Sequence, residues 1–361
     1  MRGIGRLLII ILVVLVVIAG AGYFILPSKA SSTQSFTVSR PAATVFAYLA
    51  STPPGSEISP GVTVSEVTSA QNNIVTASVA YAEGEVGTAT YTVTPEGEGS
   101  RVELKLERPL GANPLDRIQG LTGGEVQPLV ESASTSVAES LNALPEASFS
   151  GLAYEIVTID ARPFFYNQNC SPQDPAAIKE VVAQSLIALR PIMRRHNLAE
   201  AGPPIAVETE WNEQTNQYCF QVGLPYTGTA PRVLAVGTAG QTPAGQAVRV
   251  HYTGTEDQVI PLYDQMESLI AAGRLVRGRS FEVYYDDATQ AAGSVNRDIY
   301  YLVTGDTARL LAIAPSSGAV PPPQLNLTAT TAATEAAGDN PAGTTPPQTE
   351  TTTTTPQTTT P

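Results

Sequence analysis

The feature that most constrains this chain is the stretch from Leu7 to Leu26, which carries no charge and is almost entirely aliphatic. Twenty helical residues rise about 30 Å, the thickness of a bilayer's hydrocarbon core. Arg2 and Arg6 precede it, and positive residues stay on the cytoplasmic side, so the remainder of the chain is expected outside the cytoplasm. The rival is a cleaved signal peptide, whose apolar core is normally about 7–15 residues, with Ser28 and Ala30 in the small-residue positions. No cysteine comes after the stretch at the position a lipid anchor needs, which excludes lipoprotein anchoring. The expected location is the bacterial inner membrane, single-pass, with the C-terminal domains periplasmic. Residues 1–31 form the stub and anchor, and residues 7–26 meet the membrane.

The formal charge of −13 argues against a nucleic-acid surface, and the basic run Arg190–Arg195 falls within an amphipathic helix. A Cys/His zinc site needs about four ligands, and the chain's two cysteines and two histidines do not support one, so no metal and no cofactor are expected.

Residues 32–148 read as one α+β domain. A strand, Gln34–Val38, leads to a helix that Ser39 can cap, with Pro41 in its first turn and Val45, Phe46 and Leu49 on its apolar face. After Pro/Gly-rich Thr52–Gly61 come four alternating segments, Val62–Thr68, Ile74–Tyr81, Val86–Thr94 and Arg101–Glu107, as in an antiparallel meander. A helix over Gly124–Ala143 repeats Val126, Val130, Ala133, Val137 and Leu141 at three- and four-residue steps, making one face apolar.

Residues 152–304 read as a duplicated strand–helix–strand–strand unit. The first pass is Arg162–Asn169, helix Pro175–Asn197, Ile205–Glu210 and Tyr218–Leu224. The second is Gln246–Thr253, helix Asp257–Ala272, Ser280–Asp286 and Asp298–Val303. Gly202-Pro-Pro-Ile-Ala-Val-Glu-Thr-Glu210 runs parallel to Gly278-Arg-Ser-Phe-Glu-Val-Tyr-Tyr-Asp286, so element order carries the repeat. Residues 315–361 form a tail whose last 21 residues hold 11 Thr and 5 Pro, a composition that cannot bury enough apolar area to order itself.

In the first region, Phe36-Thr-Val-Ser-Arg-Pro-Ala-Ala-Thr-Val-Phe-Ala-Tyr-Leu49, then strands, then a long helix, resembles the START-like and polyketide-cyclase-like helix-grip (SRPBCC) superfamily. Three pieces of the second region resemble the gyrase-inhibitor-like (GyrI-like) domain, the effector-binding domain of AraC-type regulators. They are Tyr154-Glu-Ile-Val-Thr-Ile-Asp-Ala-Arg-Pro163, Val250-His-Tyr-Thr-Gly-Thr255 and Phe281-Glu-Val-Tyr284. That resemblance implies two modules about a pseudo-twofold axis. It also implies a ligand cavity between them, lined by aromatics and one acidic residue that contacts cationic ligands or assists hydrolysis.

Glu282 is the first candidate for that acid. Period-two alternation puts it on one face with Tyr284, while Phe281, Val283 and Tyr285 take the other. A carboxylate beside ring faces, each attracting a cation by about 0.5–2 kcal/mol, makes a cation receptor. The competing reading is a strand-edge glutamate paired with Arg279 or Arg249. Tyr284, Tyr263, Tyr166 and Trp211 are candidate cavity walls, the alternative being plain core. Glu208 corresponds to Tyr284 in the first pass and points either to the same cleft or, with Glu210, to an exposed edge. His196 sits at a helix C-terminus, where positive charge is favoured. His251 and Tyr252 alternate on a strand, and neither assembles into a triad. Cys170 and Cys219 form a disulfide if their strands are antiparallel neighbours; otherwise they are small apolar residues.

The leading expectation is a membrane-anchored protein binding a small cationic or amphipathic molecule without catalysis. The alternatives are a hydrolase with Glu282 as general base, which needs an upward-moved pKa, and an envelope scaffold.

Overall fold

The computed structural model describes residues 27–82, 84–111, 117, 124–212, 214–231, 236–286 and 295–315. The Leu7–Leu26 stretch and nearly all of the Thr/Pro-rich tail lie outside them. No helix among the described residues is long and apolar enough to cross a membrane.

The architecture is α+β. Strand β1 (Lys29–Val38) is followed by helix α1 (Ala42–Ala50) and by strands β2 (Glu57–Ser59), β3 (Val62–Gln71), β4 (Ile74–Tyr81), β5 (Val86–Glu96) and β6 (Gly99–Pro109), then helix α2 (Val126–Asn142). The six strands make an antiparallel sheet in the order β1-β6-β5-β4-β3-β2. Between β3 and β4, Asn72 and Asn73 both have positive φ (53° and 62°), the geometry of a two-residue hairpin turn that matches strand twist. Alternation buries Val102, Leu104 and Leu106 of β6, while α2 buries Val126, Val130, Ala133, Val137 and Leu141 in the same core. Two expectations are corrected. The Pro/Gly-rich segment contributes the extra short strand β2. Ser39 does not cap α1, because the helix starts three residues later with Pro41 at its N-cap. The Ser39 amide instead bonds Asn142 Oδ1 at the end of α2. Arg40, buried beside it, donates to the carbonyls of Asn142 and Leu144 and so satisfies that helix end.

The second sheet begins with β7 (Glu155–Ile159) and β8 (Pro163–Pro172), then helix α3 (Pro175–Arg195), β9 (Ala199–Glu200), β10 (Ile205–Asn212), β11 (Gln217–Thr227) and β12 (Thr238–Gln241). Next come β13 (Gly245–Gly254), a 3₁₀ turn over Glu256–Gln258, helix α4 (Val259–Ala272), β14 (Val276–Tyr284), β15 (Val295–Thr304) and helix α5 (Thr307–Ile313). Helix α3 is set by Asp174, whose side chain accepts the Ala177 amide, and by Pro175 just inside; Arg194 and Arg195 end it with His196 at the C-cap. The strand order is β12-β8-β11-β10-β14-β15-β13-β7. It reads the same from either end once β8, β10 and β11 are matched with β13, β14 and β15. The strand leading into each half sits on the far edge of the other: β7 on β13, and β12 on β8.

The two sheets are joined by packing. Ala47 of α1 lies in one buried cluster with Met266 and Leu269 of α4. Arg274 stacks its guanidinium 3.7 Å from the Tyr48 ring centre and donates to the Tyr48 carbonyl. Arg309 of α5 donates to the carbonyls of Ala50 (2.7 Å) and Thr52 (3.1 Å). Both cations therefore satisfy carbonyls at the C-terminal end of α1.

Candidate functional site between the two halves

At the sheet's centre β10 and β14 pair antiparallel, Ile205 opposite Val283, Ala206 opposite Glu282 and Val207 opposite Phe281. The alternation expected for β14 holds: Phe281, Val283 and Tyr285 join Val207 in the cluster on one face. Glu282 and Tyr284 take the other, with Ala206 and Glu208. On this second face a cleft of about 430 Å³ opens, flanked by Pro175 and Ile178 of α3 and by Val259, Ile260 and Tyr263 of α4.

The halves are not alike here. Next to Glu282 and Tyr284, β15 places Ile299 and Arg297; next to Ala206 and Glu208, β11 places Val222 and Phe220. Arg297 thus stands where the first half has Phe220, and Glu282 where it has Ala206. Glu282 Oε1 accepts from the Tyr263 hydroxyl and Oε2 from Arg297 Nη1, both at 2.9 Å. Arg297 also bonds Glu256 (2.5 Å) and lies 4.7 Å from the Tyr284 ring centre. Glu208 Oε2 accepts from Ser280 Oγ at 2.6 Å. Glu267 accepts the Tyr301 hydroxyl (2.6 Å) and pairs with Arg277.

Burial, and after it the Glu282 charge, hold the Tyr263 and Tyr284 phenols well above their ordinary pKa. These hydroxyls stay protonated, as Tyr263's role as donor requires. Burial alone would lower the Arg297 pKa, but Glu282, Tyr284 and Glu256 more than offset it, so the guanidinium is firmly charged. Five carboxylates line the cleft (Glu208, Glu256, Asp264, Glu267, Glu282) against two guanidinium groups (Arg277, Arg297), leaving an acidic surplus among aromatic rings.

Of the residues the sequence singled out, Glu282, Tyr284, Tyr263 and Trp211 line this cleft together. Tyr166 does not. It shares a face of β8 with Phe164, stacks on that ring at 5.3 Å, and packs into the cluster on the opposite face. Arg279 and Arg249 are not Glu282's partners; Arg297 is. Glu208 lines the cleft rather than an exposed edge, whereas Glu210 is exposed. Arg297 escaped notice because its strand was expected to begin at Asp298, three residues after its actual start at Val295; a charged residue just before an expected strand is the signal that points to it. His251 sits on the far face, its Nδ1 2.7 Å from fully buried Asp298. Asp298 also accepts the hydroxyls of Tyr285 and Tyr300. Strands β8 and β11 place Cys170 directly opposite Cys219, and the two are disulfide-bonded. Among the described residues no group of His, Cys, Asp and Glu is arranged to hold a metal ion.

No family model and no curated protein matches the chain. Solved structures that match include the C-terminal domain of EcmrR (11% identity, TM-score 0.37), covering 42% of this chain and 96% of that one. They also include a hydrolase from Listeria innocua (10%, TM-score 0.30, 46% and 96%). A third is a putative bacterial transcription regulation protein from Staphylococcus aureus (11%, TM-score 0.27, 43% and 100%). At such scores these likenesses say nothing about what this chain binds or catalyses.

Proposed function

We propose that this protein is a membrane-anchored binder of small lipophilic cations, with the ligand held between the two halves of the second sheet. The helix-grip kinship of the first region and the GyrI-like kinship of the second belong to this proposal. So do the anchor at residues 7–26, the periplasmic placement of the remainder and the absence of a nucleic-acid partner. The observation that carries it is the cleft at the pseudo-twofold axis, where acids outnumber bases among Trp211, Tyr263 and Tyr284. Ring faces and a carboxylate surplus attract a cation together, and exclusion of water strengthens both.

Catalysis by Glu282 as general base is disfavoured by its contacts. One oxygen already accepts from Tyr263 and the other from Arg297, so the carboxylate is fixed by two donors and keeps only its remaining lone pairs for any further partner. Thermal unfolding with tetraphenylphosphonium tests the proposal: the wild type should gain stability with ligand, and Glu282→Gln should gain much less. Equal gains, or none in either protein, would remove its basis.

A further inference from the structure

We infer that the ligand of this cleft is a dication, with two positive centres joined by a short apolar spacer. This rests on the cation-binding reading above and narrows it. Asp264 is solvent-exposed at the rim, where water screens its charge, and the four remaining acids fall into two sets. Glu282 and Glu256 share a single guanidinium, Arg297, which bonds both. Glu267 is ion-paired with Arg277, and Glu208 lines the cleft beside them with a neutral partner, the Ser280 hydroxyl, on Oε2. Each set is thus short of one positive charge.

The spacing of the two deficits comes from the sheet. Glu282 lies opposite Ala206, and Glu208 stands two residues further along β10 on the same face. Such diagonal neighbours lie about 7–8 Å apart. Half-buried Tyr218 lines the same cleft, stacked 5.2 Å from Phe220, and its phenol is held up by desolvation and then by the charges of both Glu208 and Glu282. An apolar spacer laid over these rings sets one cationic group by each carboxylate. A monocation neutralises one set and leaves the other uncompensated in a partly desolvated site, which costs binding energy.

The test is calorimetric titration of the full-length chain in lipid nanodiscs. The bis-quaternary salt hexamethonium is compared with the monoquaternary hexyltrimethylammonium. The wild type should bind hexamethonium at least about tenfold more tightly, and Glu208→Gln should bring the two within about threefold. Equal affinities in the wild type would overturn the inference, as would a preference that survives in Glu208→Gln. The wild-type comparison stands alone if that variant fails to fold. Tetraphenylphosphonium binding without a hexamethonium preference would defeat the dication alone; no binding by any of the three salts would defeat the cleft reading with it.

Discussion

Ala206 and Glu282 face each other across the central strand pair, and the pseudo-twofold axis passes between them. A residue and its own repeat counterpart thus meet at the axis, one a methyl group and the other a carboxylate. The same asymmetry recurs one step out, with Phe220 answered by Arg297. The duplicated scaffold supplies two matching walls, and the second half alone supplies the ion pair.

That ion pair has a measurable energetic signature. Side chains of Arg297 and Glu282 are 5% and 14% exposed, so removing one partner strands a desolvated charge. Arg297→Leu is expected to cost about 3–5 kcal/mol in urea unfolding. Glu282→Gln should cost less, about 1–3 kcal/mol, because Glu256 still holds the guanidinium. The double variant Glu282→Leu/Arg297→Leu should lose clearly less than the sum of the two single changes to leucine; strict additivity would mean that the pair contributes no coupling.

Alkaline pH should unfold the protein through its tyrosines. Burial pushes Tyr81 and Tyr154 up to about 12 from 10.0, and Tyr263 and Tyr284 are held well above the ordinary value. A folded-state pKa above the unfolded one stabilises fully below pH 10, and the contribution is lost as pH rises through the folded value. Stability should therefore fall between about pH 10 and 12. Phenolate absorbance at 295 nm should show these groups ionising late and cooperatively, whereas a single smooth titration near pH 10 would contradict their burial.

The Cys170–Cys219 bond closes a sequence separation of 49 residues. Replacing both cysteines by serine should cost about 2–4 kcal/mol, mostly by freeing the unfolded chain. A thiol reductant should lower the melting temperature of the wild type and leave that of the double variant unchanged.

Arg309→Ala removes two hydrogen bonds from the end of α1 to α5 and should cost about 1–2 kcal/mol. Combined with Arg274→Ala, which also strips the stacking on Tyr48, it should separate the unfolding of the two sheets into two calorimetric steps. One unchanged transition would show that apolar packing around Ala47 suffices.

The long periodic elements were legible in the sequence because their burial is one-sided. The stripe from Val126 to Leu141 marks α2, and alternation from Ile74 to Tyr81 marks β4. Strands β2 and β9, three and two residues long, are too short to show a period. Alternation also showed that Glu282 shares a face with Tyr284. For Tyr166 it gives only the companion, Phe164, since which face the helices cover is fixed by packing of α3 and α4. The Arg297–Glu282 contact spans two strands and depends on their register, with Glu282 opposite Ile299 and Tyr284 opposite Arg297, which one strand's sequence does not give.

Trp211 is the chain's single tryptophan and lines the cleft, so its fluorescence reads the site directly. Titration with tetraphenylphosphonium should change it in a saturable, one-to-one manner, and Glu282→Gln should weaken that affinity about tenfold. A response that never saturates, or curves identical in wild type and variant, would contradict a cation site built around Glu282.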